Sequence, residues 1–311
     1  MATSFRTKPT RIVVIGSGAV GATTAYTLLL RDRANEVVLI DANQDKAQGD
    51  ALDMSHGAPF LGGVKVWAGD YTDCEQADIV IITAGAAQRP GETRQDLLQR
   101  NIVILKDILQ GVLRHNPNPI LLIASNPVDV LSYATWKLSG LSHKRVIGSG
   151  TVLDSARFRY LIGEKAGVTP RSIHGYVIGE HGDSELPVWS RTNIVGAPIV
   201  LTDDEKEQLF SSTRNAAYQI IQAKGSTAYA IALALDRISA SILDNEHGIL
   251  NVSTYIEDYN GISDVYLGFP TILSGGGVKG LVDIQLSESE LAALRRSANF
   301  LKERITELNF A

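Results

Sequence analysis

Residues 11–21, RIVVIGSGAVG, decide the fold of this chain. A β-branched run leads directly into glycines at positions 16, 18 and 21, and a helical pattern follows from about Val20. In a dinucleotide-binding unit the first glycine allows a tight turn, the second lets the backbone approach a pyrophosphate, and the third permits close helix packing. The helix N-terminus then attracts the anion. The stretch predicts that Gly16, Gly18 and Gly21 bind a dinucleotide; the alternative is a flexible glycine turn.

Asp41 supplies the context that a lone glycine motif lacks. It ends the second apolar strand, VVLID, and lies twenty residues beyond Gly21. This is the spacing of a carboxylate that accepts a hydrogen bond from a ribose 2′-hydroxyl. Because the same carboxylate would repel a 2′-phosphate, NAD is favoured over NADP as the cofactor. The alternative is that Asp41 is an ordinary turn residue at a strand end.

The pattern along the chain predicts an α/β protein in two parts. In the first half, helical patterns alternate with short apolar runs at 11–15, 36–40, 64–68, 79–83 and 120–124. Apolar strands separated by helices indicate a doubly wound parallel sheet covered on both faces. After Gly150 the pattern changes to a helix at 153–166, a strand at 173–178 and long helices from Thr202 onward. We expect an NAD-binding Rossmann domain at 1–149, an α+β catalytic domain at 150–311, and a cleft between them.

Two helix starts in the second half carry a capping-box pattern. Thr202 is followed by Glu205, and Ser287 by Glu290, at the spacing in which each side chain bonds the other residue's backbone. After the second box, apolar residues recur at the helical period: Leu291, Leu294, Ala298, Leu301 and Ile305. They predict one buried stripe on the last helix.

Composition narrows the function classes. The 311 residues carry a formal net charge of −5 and are 44% hydrophobic, which suits a folded globular protein without a basic footprint for nucleic acid. The single cysteine, Cys74, cannot form an intrachain disulfide, so the cytoplasm is the expected compartment. No signal-peptide pattern precedes Gly16, and no apolar run reaches the roughly 20 residues that a bilayer requires. Neither a nucleic acid nor a membrane is expected as a partner.

Two later segments contain the candidate catalytic residues. In residues 151–157, TVLDSAR, Asp154 and Arg157 are three residues apart and share a helix face. Such a pair is by itself often only a solvated ion pair. In residues 179–185, GEHGDSE, His181 lies close to two glycines just after an apolar strand, where a backbone with few side chains leaves room for a ligand. His181 is therefore favoured as a functional histidine over a core or capping one.

At this point the chain resembles the lactate and malate dehydrogenase family, most closely its bacterial L-lactate dehydrogenases. The resemblance extends over essentially the whole chain, through the motifs GSGAVG, DMSHG, TAGAAQRPGETR, ASNPVDV, GSGTVLDSARFR and GEHGDSE. It implies reversible NADH-dependent reduction of pyruvate to L-lactate. It also implies that His181 donates and accepts the proton, that Asp154 orients the imidazole, and that Arg157 holds the substrate carboxylate. Histidine titrates near neutrality, and a guanidinium binds a carboxylate through two parallel hydrogen bonds, so the chemistry fits these roles.

Residues 85–94 resemble the closing loop of that family. Gly85, Pro90 and Gly91 give the composition of a mobile loop, and a helix is expected to begin near Glu92. The resemblance implies that Arg94 swings in to polarise the substrate carbonyl as the loop closes. The alternative, an exposed arginine at a helix start, is disfavoured because a cation there opposes the helix dipole.

Gln88 occupies the loop position that faces the variable end of the substrate in this family. Malate dehydrogenases have an arginine there, for the second carboxylate of oxaloacetate, whereas lactate dehydrogenases have glutamine. Pyruvate is therefore favoured. If the register were shifted by one residue, Arg89 would take this position, and the chain would be a malate dehydrogenase.

Further residues match contact positions of the family. Asn126 follows an apolar strand and corresponds to a residue near the substrate hydroxyl and the nicotinamide, and Thr227 corresponds to a substrate-contacting threonine. Around Thr227 the chain has KGSTAYA where KGATYYG is commoner, which keeps the hydroxyl. The cofactor-contact positions are Val20, Lys46, Tyr71, Gly85, Ala86, Ala124 and Ser149.

Arg159 and His174 match a second anion site. Arg159 lies about 200° around the helix from Arg157, so it cannot serve the same carboxylate. In allosteric bacterial L-lactate dehydrogenases this pair lines an inter-subunit site for fructose 1,6-bisphosphate. The resemblance implies activation by that sugar phosphate in a homotetramer. The alternative is that the two residues form ordinary ion pairs or that the pocket has no regulatory role.

Rival function classes are less well supported. A non-catalytic NAD-binding sensor would need the glycines and Asp41 but not His181, Asp154, Arg157 and Arg94 together. A metal-dependent hydrolase would need a ligand cluster. The histidines, at 56, 115, 143, 174, 181 and 247, show no metal-ligand spacing, so no metal is expected.

Overall fold

The computed structural model describes residues 8–86, 91 and 93–308. Its first half contains parallel strands β1 (Arg11–Ile15), β2 (Glu36–Ile40), β3 (Lys65–Ala68), β4 (Ile79–Ile82), β5 (Ile120–Ile123) and β6 (Val146–Gly148). Between them lie helices α1 (Ala19–Leu30), α2 (Gln44–Gly57), α3 (Arg94–His115) and α4 (Val128–Ser139). The order in the sheet is β3-β2-β1-β4-β5-β6. The predicted doubly wound sheet is confirmed, and its order reverses between β1 and β4, where such folds bind ligands at the carboxyl ends of strands.

The second half packs helices and short strands beside this sheet. Its helices are α5 (Val152–Ala166), α6 (Asp203–Lys224), α7 (Tyr229–Leu243) and α8 (Glu288–Thr306). Its short strands are β7 (Ile173–His174), β8 (Val177–Ile178), β9 (Leu186–Pro187), β10 (Asn193–Ile194) and β11 (Ala197–Pro198). Longer strands follow as β12 (Ile249–Ile256), β13 (Val265–Ser274) and β14 (Gly277–Leu281). None of the described helices is both long and apolar enough to span a membrane.

Strand β12 joins the two halves of the chain into one sheet. It runs antiparallel to β6 through the pair Ser253–Gly148, and β13 and β14 extend the sheet further. The two backbones approach closely because position 148 is glycine: a Cβ there would lie 2.7 Å from the Cβ of Ser253. The two predicted domains, which meet at residue 149, therefore share a sheet.

Two sequence predictions for the second half were wrong. The single strand expected at 173–178 is split into β7, which pairs with β10, and β8, which pairs with β9. The chain changes sheets at Gly175, where an added Cβ would lie only 3.1 Å from the ring of Phe158. The sequence pattern also indicated mainly helices after Thr202 and missed β12–β14. The buried polar residues Asn251 and Ser253 interrupt the apolar run in β12, which conceals the strand.

The capping boxes are confirmed. Thr202 accepts from the backbone of Glu205 at 3.3 Å, and the Glu205 carboxylate accepts in return from the backbone of Thr202 at 2.9 Å. Ser287 and Glu290 make the same exchange. Leu294, Ala298 and Leu301 are buried, and Leu291 and Ile305 pack against the same core, so the predicted stripe on α8 exists.

An ion pair with a buried carboxylate fastens α7 to the first half of the chain. Arg33, in the turn after α1, donates through Nε to Oδ1 of Asp236 at 2.7 Å, and the Asp236 side chain is only 3% exposed. This hydrogen bond to Asp236 raises the pKa of Arg33. Both α1 and α7 are lined with buried residues on the sides that contact each other.

We expect the substitution Asp236→Ala to lower the free energy of unfolding by about 3 kcal/mol, because it leaves a poorly solvated arginine without its main partner. Urea titration measures the change. The matched control is Asp244→Ala, which removes a carboxylate on the same arginine that is 57% exposed and should cost less than about 1 kcal/mol. Equal losses in the two variants would contradict the argument.

Candidate active site

A cavity of about 640 Å³ opens at the carboxyl ends of β1, β2 and β4. Its walls come from the strand ends, the turn at Tyr71 and α3, and include Gly16, Gly18, Asp41, Asp70, Tyr71, Thr83, Gly85 and Ile108. The cavity lies where the strand order of the sheet reverses. It is the position at which a doubly wound sheet binds a nucleotide.

The three glycines of the first motif differ in what surrounds them. Gly16 has a φ of +104°, and a Cβ there would lie 2.6 Å from the backbone nitrogen of Ala84. A Cβ on Gly21 would lie 1.7 Å from the carbonyl oxygen of Gly16, so α1 and the turn can only pack together without a side chain. Beyond its chain neighbours, no heavy atom of the described residues lies within 4 Å of a Cβ placed on Gly18. Gly18 is therefore the open position, which a pyrophosphate could approach closely.

The Asp41 carboxylate lies at one end of the cavity. Its Oδ2 accepts from the backbone N–H of Ser17 at 2.5 Å, and its Oδ1 accepts from Asn43 at 2.8 Å. Asp70 lines the same wall. Two carboxylates at this end fit a ribose hydroxyl and oppose a phosphate group.

Several predicted cofactor residues lie outside the cavity wall. Val20 and Ala124 are partly buried and pack against the hydrophobic core. Ser149 is buried and donates its backbone N–H to Ile123 at 2.8 Å. The Lys46 ammonium bonds the Ser17 carbonyl and, at 2.9 Å, Asp50.

Asn101 links the chain after β4 to the chain after β5. Its Oδ1 accepts from the backbone of Ala86 at 2.8 Å, and its Nδ2 donates to the carbonyl of Asn126 at 3.3 Å. Asn126 is exposed and precedes a cis peptide bond to Pro127. Asn101 was not among the residues predicted from the sequence, since it is one buried polar residue within an amphipathic helix.

The predicted catalytic residues come together on α5 and the segment after β8. The ring Nδ1 of His181 lies 2.6 Å from Oδ2 of Asp154, and Nη1 of Arg157 lies 3.0 Å from the other oxygen of Asp154. Asp154 is 3% exposed. Helix α5 is held beside this segment by Thr151, which donates its hydroxyl to the carbonyl of Val177 at 2.7 Å. The three side chains therefore form one hydrogen-bonded cluster around the buried carboxylate of Asp154, and the His181 side chain remains 26% exposed.

The electrostatics of the cluster favour a charged imidazole. The negative charge of Asp154 raises the pKa of His181 to about 9, although burial works in the opposite direction. Burial also works to raise the pKa of Asp154, but the neighbouring His181 and Arg157 lower it below its ordinary value. Because Asp154 holds Nδ1, the other ring nitrogen, Nε2, is left to exchange a proton with a ligand.

Sequence reasoning missed Asp129, which fixes the backbone of His181. Its Oδ2 accepts from the backbone N–H of His181 at 2.7 Å, and its Oδ1 accepts from the hydroxyl of Ser253 at 2.5 Å. Burial raises the pKa of Asp129 to about 6. The sequence contains one signal for Asp129: it is a charged residue among apolar ones at a helix start, within the motif ASNPVDV.

Glu185 was also missed as a separate feature. The residue belongs to the motif GEHGDSE, which was assigned a role only through His181. In the structure Glu185 is 6% exposed and lies beside Asp154 and His181. These three residues are the group in the described chain whose atoms could hold a metal ion. Both oxygens of Asp154 are already bonded to His181 and Arg157, so the absence of a metal stays our prediction.

The remaining predicted residues lie in different places. Helix α3 begins at Arg94, two residues later than expected, because Thr93 and Asp96 form a capping box. The side chain of Arg94 and the whole of Gln88 lie outside the described residues. Thr227 is half-buried in the turn between α6 and α7. The structure does not bring Thr227 into a hydrogen bond with the described His181 cluster.

Comparison with protein families assigns both halves of the chain. Residues 10–148 match the lactate/malate dehydrogenase NAD binding domain, and residues 151–310 match the lactate/malate dehydrogenase α/β C-terminal domain. The chain belongs to the lactate/malate dehydrogenase family. It is accordingly an NAD-dependent oxidoreductase, and the predicted cofactor is confirmed.

Individual members of the family are similar over almost the whole chain. An L-lactate dehydrogenase of Thermoanaerobacter sp. (strain X514) is 52% identical over 96% of this chain and 99% of its own length. One of Bacillus caldolyticus is 49% identical over 94% of this chain and 95% of its own. The crystal structure of the minor L-lactate dehydrogenase of Enterococcus mundtii, in a ligand-bound form, superposes with a TM-score of 0.95 at 41% identity. The superposition covers 97% of this chain and 99% of the Enterococcus mundtii chain.

For this lactate/malate dehydrogenase family member we expect Asp41→Ser to increase the use of NADPH relative to NADH by about 10- to 100-fold, since it removes one negative charge next to the 2′-position. The ratio of kcat/KM for the two cofactors measures the change. Asp45→Ser is the matched control, because Asp45 is an exposed aspartate in the first turn of α2 and is not in the cavity wall. An unchanged ratio in Asp41→Ser would contradict the role assigned to Asp41.

Proposed function

We propose that this protein is an L-lactate dehydrogenase, which reduces pyruvate reversibly to L-lactate with NADH. The observation that carries the proposal is the cluster that His181 and Arg157 form around the buried Asp154, with its contacts of 2.6 and 3.0 Å. It places a proton donor next to a cation that can bind a carboxylate. Relatives named L-lactate dehydrogenase, up to 52% identical over 96% of the chain, support the choice of substrate.

Each residue of the cluster has a step in this reaction. Bound NADH supplies the hydride for the carbonyl carbon. His181, held as a cation by Asp154, gives its proton to the developing alkoxide through Nε2 and recovers it in the reverse direction. Arg157 fixes the substrate carboxylate through two parallel hydrogen bonds, so that the carbonyl faces the imidazole.

The remaining substrate contacts are proposed from the family resemblance. Arg94 polarises the carbonyl when residues 85–94 close over the substrate, and Gln88 faces its methyl group. Asn126 and Thr227 contact the substrate on its other sides. A neutral glutamine disfavours the second carboxylate of oxaloacetate, because that charge would be desolvated without a partner.

The test is NADH oxidation by the purified protein with pyruvate and, separately, with oxaloacetate. We expect pyruvate to be the better substrate by kcat/KM. Preference for oxaloacetate would make the protein a malate dehydrogenase and Arg89 the selective residue. Binding of NADH without turnover of either acid would favour a non-catalytic NAD sensor.

We expect opposite pH profiles for the two directions of the reaction. Pyruvate reduction requires the protonated imidazole, so its kcat/KM should be constant at neutral pH and fall as the pH rises through about 9, the raised pKa of His181. Lactate oxidation requires the neutral imidazole, so its kcat/KM should rise up to the same pH. Initial rates in both directions across this range measure the profiles. Parallel profiles would contradict the assignment of His181.

We also propose that the enzyme is a cytoplasmic homotetramer activated by fructose 1,6-bisphosphate. Arg159 supports this part of the proposal, because its side chain is half-buried and the hydrogen bond that it makes within the described chain goes to the Ser155 carbonyl at 3.2 Å. Burial lowers the pKa of Arg159, and no carboxylate is paired with it in the described chain. His174 is exposed on β7, which packs against α5. A bound phosphate group would give the Arg159 guanidinium an anionic partner.

The activation is tested by measuring the KM for pyruvate with and without fructose 1,6-bisphosphate, together with the sedimentation mass. We expect the sugar phosphate to lower the KM in the wild-type protein and to have no effect in Arg159→Gln. Arg171→Gln is the control, since Arg171 is exposed just before β7. A KM that does not respond in the wild-type protein would refute activation, whatever the mass.

A further inference from the structure

Glu185 is a buried carboxyl group with an unused hydrogen-bonding atom. It lies four residues after His181, directly before β9, and its Oε1 has no hydrogen-bond partner in the described chain. Its side chain also forms no ion pair there. Buried polar atoms without a partner are rare in folded proteins, and each one calls for an explanation.

The surroundings of Glu185 are the proposed proton-transfer groups. Ligand atoms of Glu185, Asp154 and His181 all lie within 4.8 Å of one another. Burial, and then the charge of Asp154, raise the pKa of Glu185 to about 8, while His181, Arg157 and Arg214 work to lower it. Two adjacent carboxyl groups in a buried site do not both ionise easily, so Glu185 is the one that keeps its proton at neutral pH.

Charged groups of the described chain surround the imidazole on several elements. Glu180 precedes His181 directly, and Arg304 and Glu307, at the end of α8, line the same pocket as His181. Helix α5 contributes Asp154 and Arg157, α4 contributes Asp129, and α6 contributes Arg214, which faces Glu185. Glu185 raises the pKa of His181 when it is ionised, and a charged His181 lowers the pKa of Glu185. The two groups therefore influence each other's protonation directly.

A metal ion is a poorer explanation for this cluster. Both oxygens of Asp154 are already bonded, and the Arg157 guanidinium lies 3.0 Å from one of them. A second cation in the same buried space would be repelled by that guanidinium. The unused oxygen of Glu185 is better explained by a neutral carboxyl group that gains its charge only at alkaline pH.

We propose that Glu185 is a positioning residue for the proton transfer, and that its buried carboxyl group controls how firmly the His181 ring holds its proton. This inference rests on the proposed role of His181 in pyruvate reduction. At neutral pH Glu185 is uncharged and leaves the imidazole to Asp154. As the pH rises, Glu185 ionises and delays the loss of the proton from His181, which extends the pH range in which pyruvate is reduced.

The first test is the pH profile of the variant Glu185→Gln. Because the variant cannot ionise at this position, the fall in kcat/KM for pyruvate should move to lower pH by about one unit. NADH affinity should not change. The matched control is Glu180→Gln, which removes a carboxylate next to His181 whose Oε2 is already bonded to the backbone of Ser184 at 3.0 Å. An unshifted fall in Glu185→Gln, or an equal shift in Glu180→Gln, would overturn the proposal.

The second test follows His181 directly, without substrate. The protein with ¹⁵N-labelled histidine is titrated by NMR, and the His181 signal is identified by its absence in His181→Gln. We expect two inflections for His181 in the wild-type protein and one, at lower pH, in Glu185→Gln. A single inflection in the wild-type protein would overturn the proposal even if Glu185→Gln did not fold. Since this titration needs no turnover, it is independent of whether pyruvate is the substrate.

Discussion

The substitution His181→Gln is expected to lower kcat for pyruvate reduction by about 10²- to 10⁴-fold, the contribution of a positioned general acid. Glutamine keeps a polar side chain but cannot deliver a proton to the alkoxide. The fold around it should persist, because the bond from this position to Asp129 at 2.7 Å uses the backbone N–H. Steady-state rates measure the loss, and NADH fluorescence measures the retained cofactor affinity.

The control for this substitution is His143→Gln. His143 lies in a cluster of aromatic rings with Trp136 and Tyr255, and burial lowers its pKa. Its replacement should leave kcat within about twofold, as expected of a residue outside the chemistry. Comparable losses of kcat in the two variants would mean that His181 acts through stability and not as a proton donor.

The second large effect is expected for Arg157→Lys. Lysine keeps the positive charge next to Asp154 but cannot form two parallel hydrogen bonds to a carboxylate. We expect the KM for pyruvate to rise by about 100-fold, equivalent to the loss of one hydrogen bond to a charged group and of the fixed orientation. The fall in kcat should be smaller than the rise in KM.

Initial rates over a wide range of pyruvate concentrations separate the two constants. Arg237→Lys is the matched control, because Arg237 pairs with Glu246 at 2.6 Å on an exposed part of α7. A normal KM in Arg157→Lys would show that another cation binds the substrate carboxylate.

The nucleotide cavity was the part of the molecule that sequence reasoning described best. Its geometry depends on short-range rules, since the turn at Gly16 and the helix start that follows are set by neighbouring residues. Gly21 approaches the carbonyl of Gly16, only five positions away. The motif therefore contains most of the information about its own structure.

Contacts between distant segments were less accessible. Asp129 and His181 are 52 positions apart, and Ser253 and Asp129 are 124 apart, so no periodic pattern connects them.

In the sequence Glu185 cannot be told apart from a surface glutamate, and only its burial in the structure distinguishes it. Strand β12 was missed for a related reason, because its polar residues Asn251 and Ser253 are satisfied by partners far along the chain. Residues 87–90, which include Gln88, lie outside the described chain, so the selectivity argument rests on the sequence alone.

The sheet shared by the two halves has a consequence for how the protein unfolds. If β12 separated from β6, the edge of the parallel sheet would lose its partner, and Ser253 would withdraw its hydroxyl from Asp129. The backbone of His181 would then lose the orientation that Asp129 gives it. Cofactor-binding and proton-transferring parts should therefore melt in a single cooperative transition, and a fragment ending at residue 149 should aggregate through its bare strand edge.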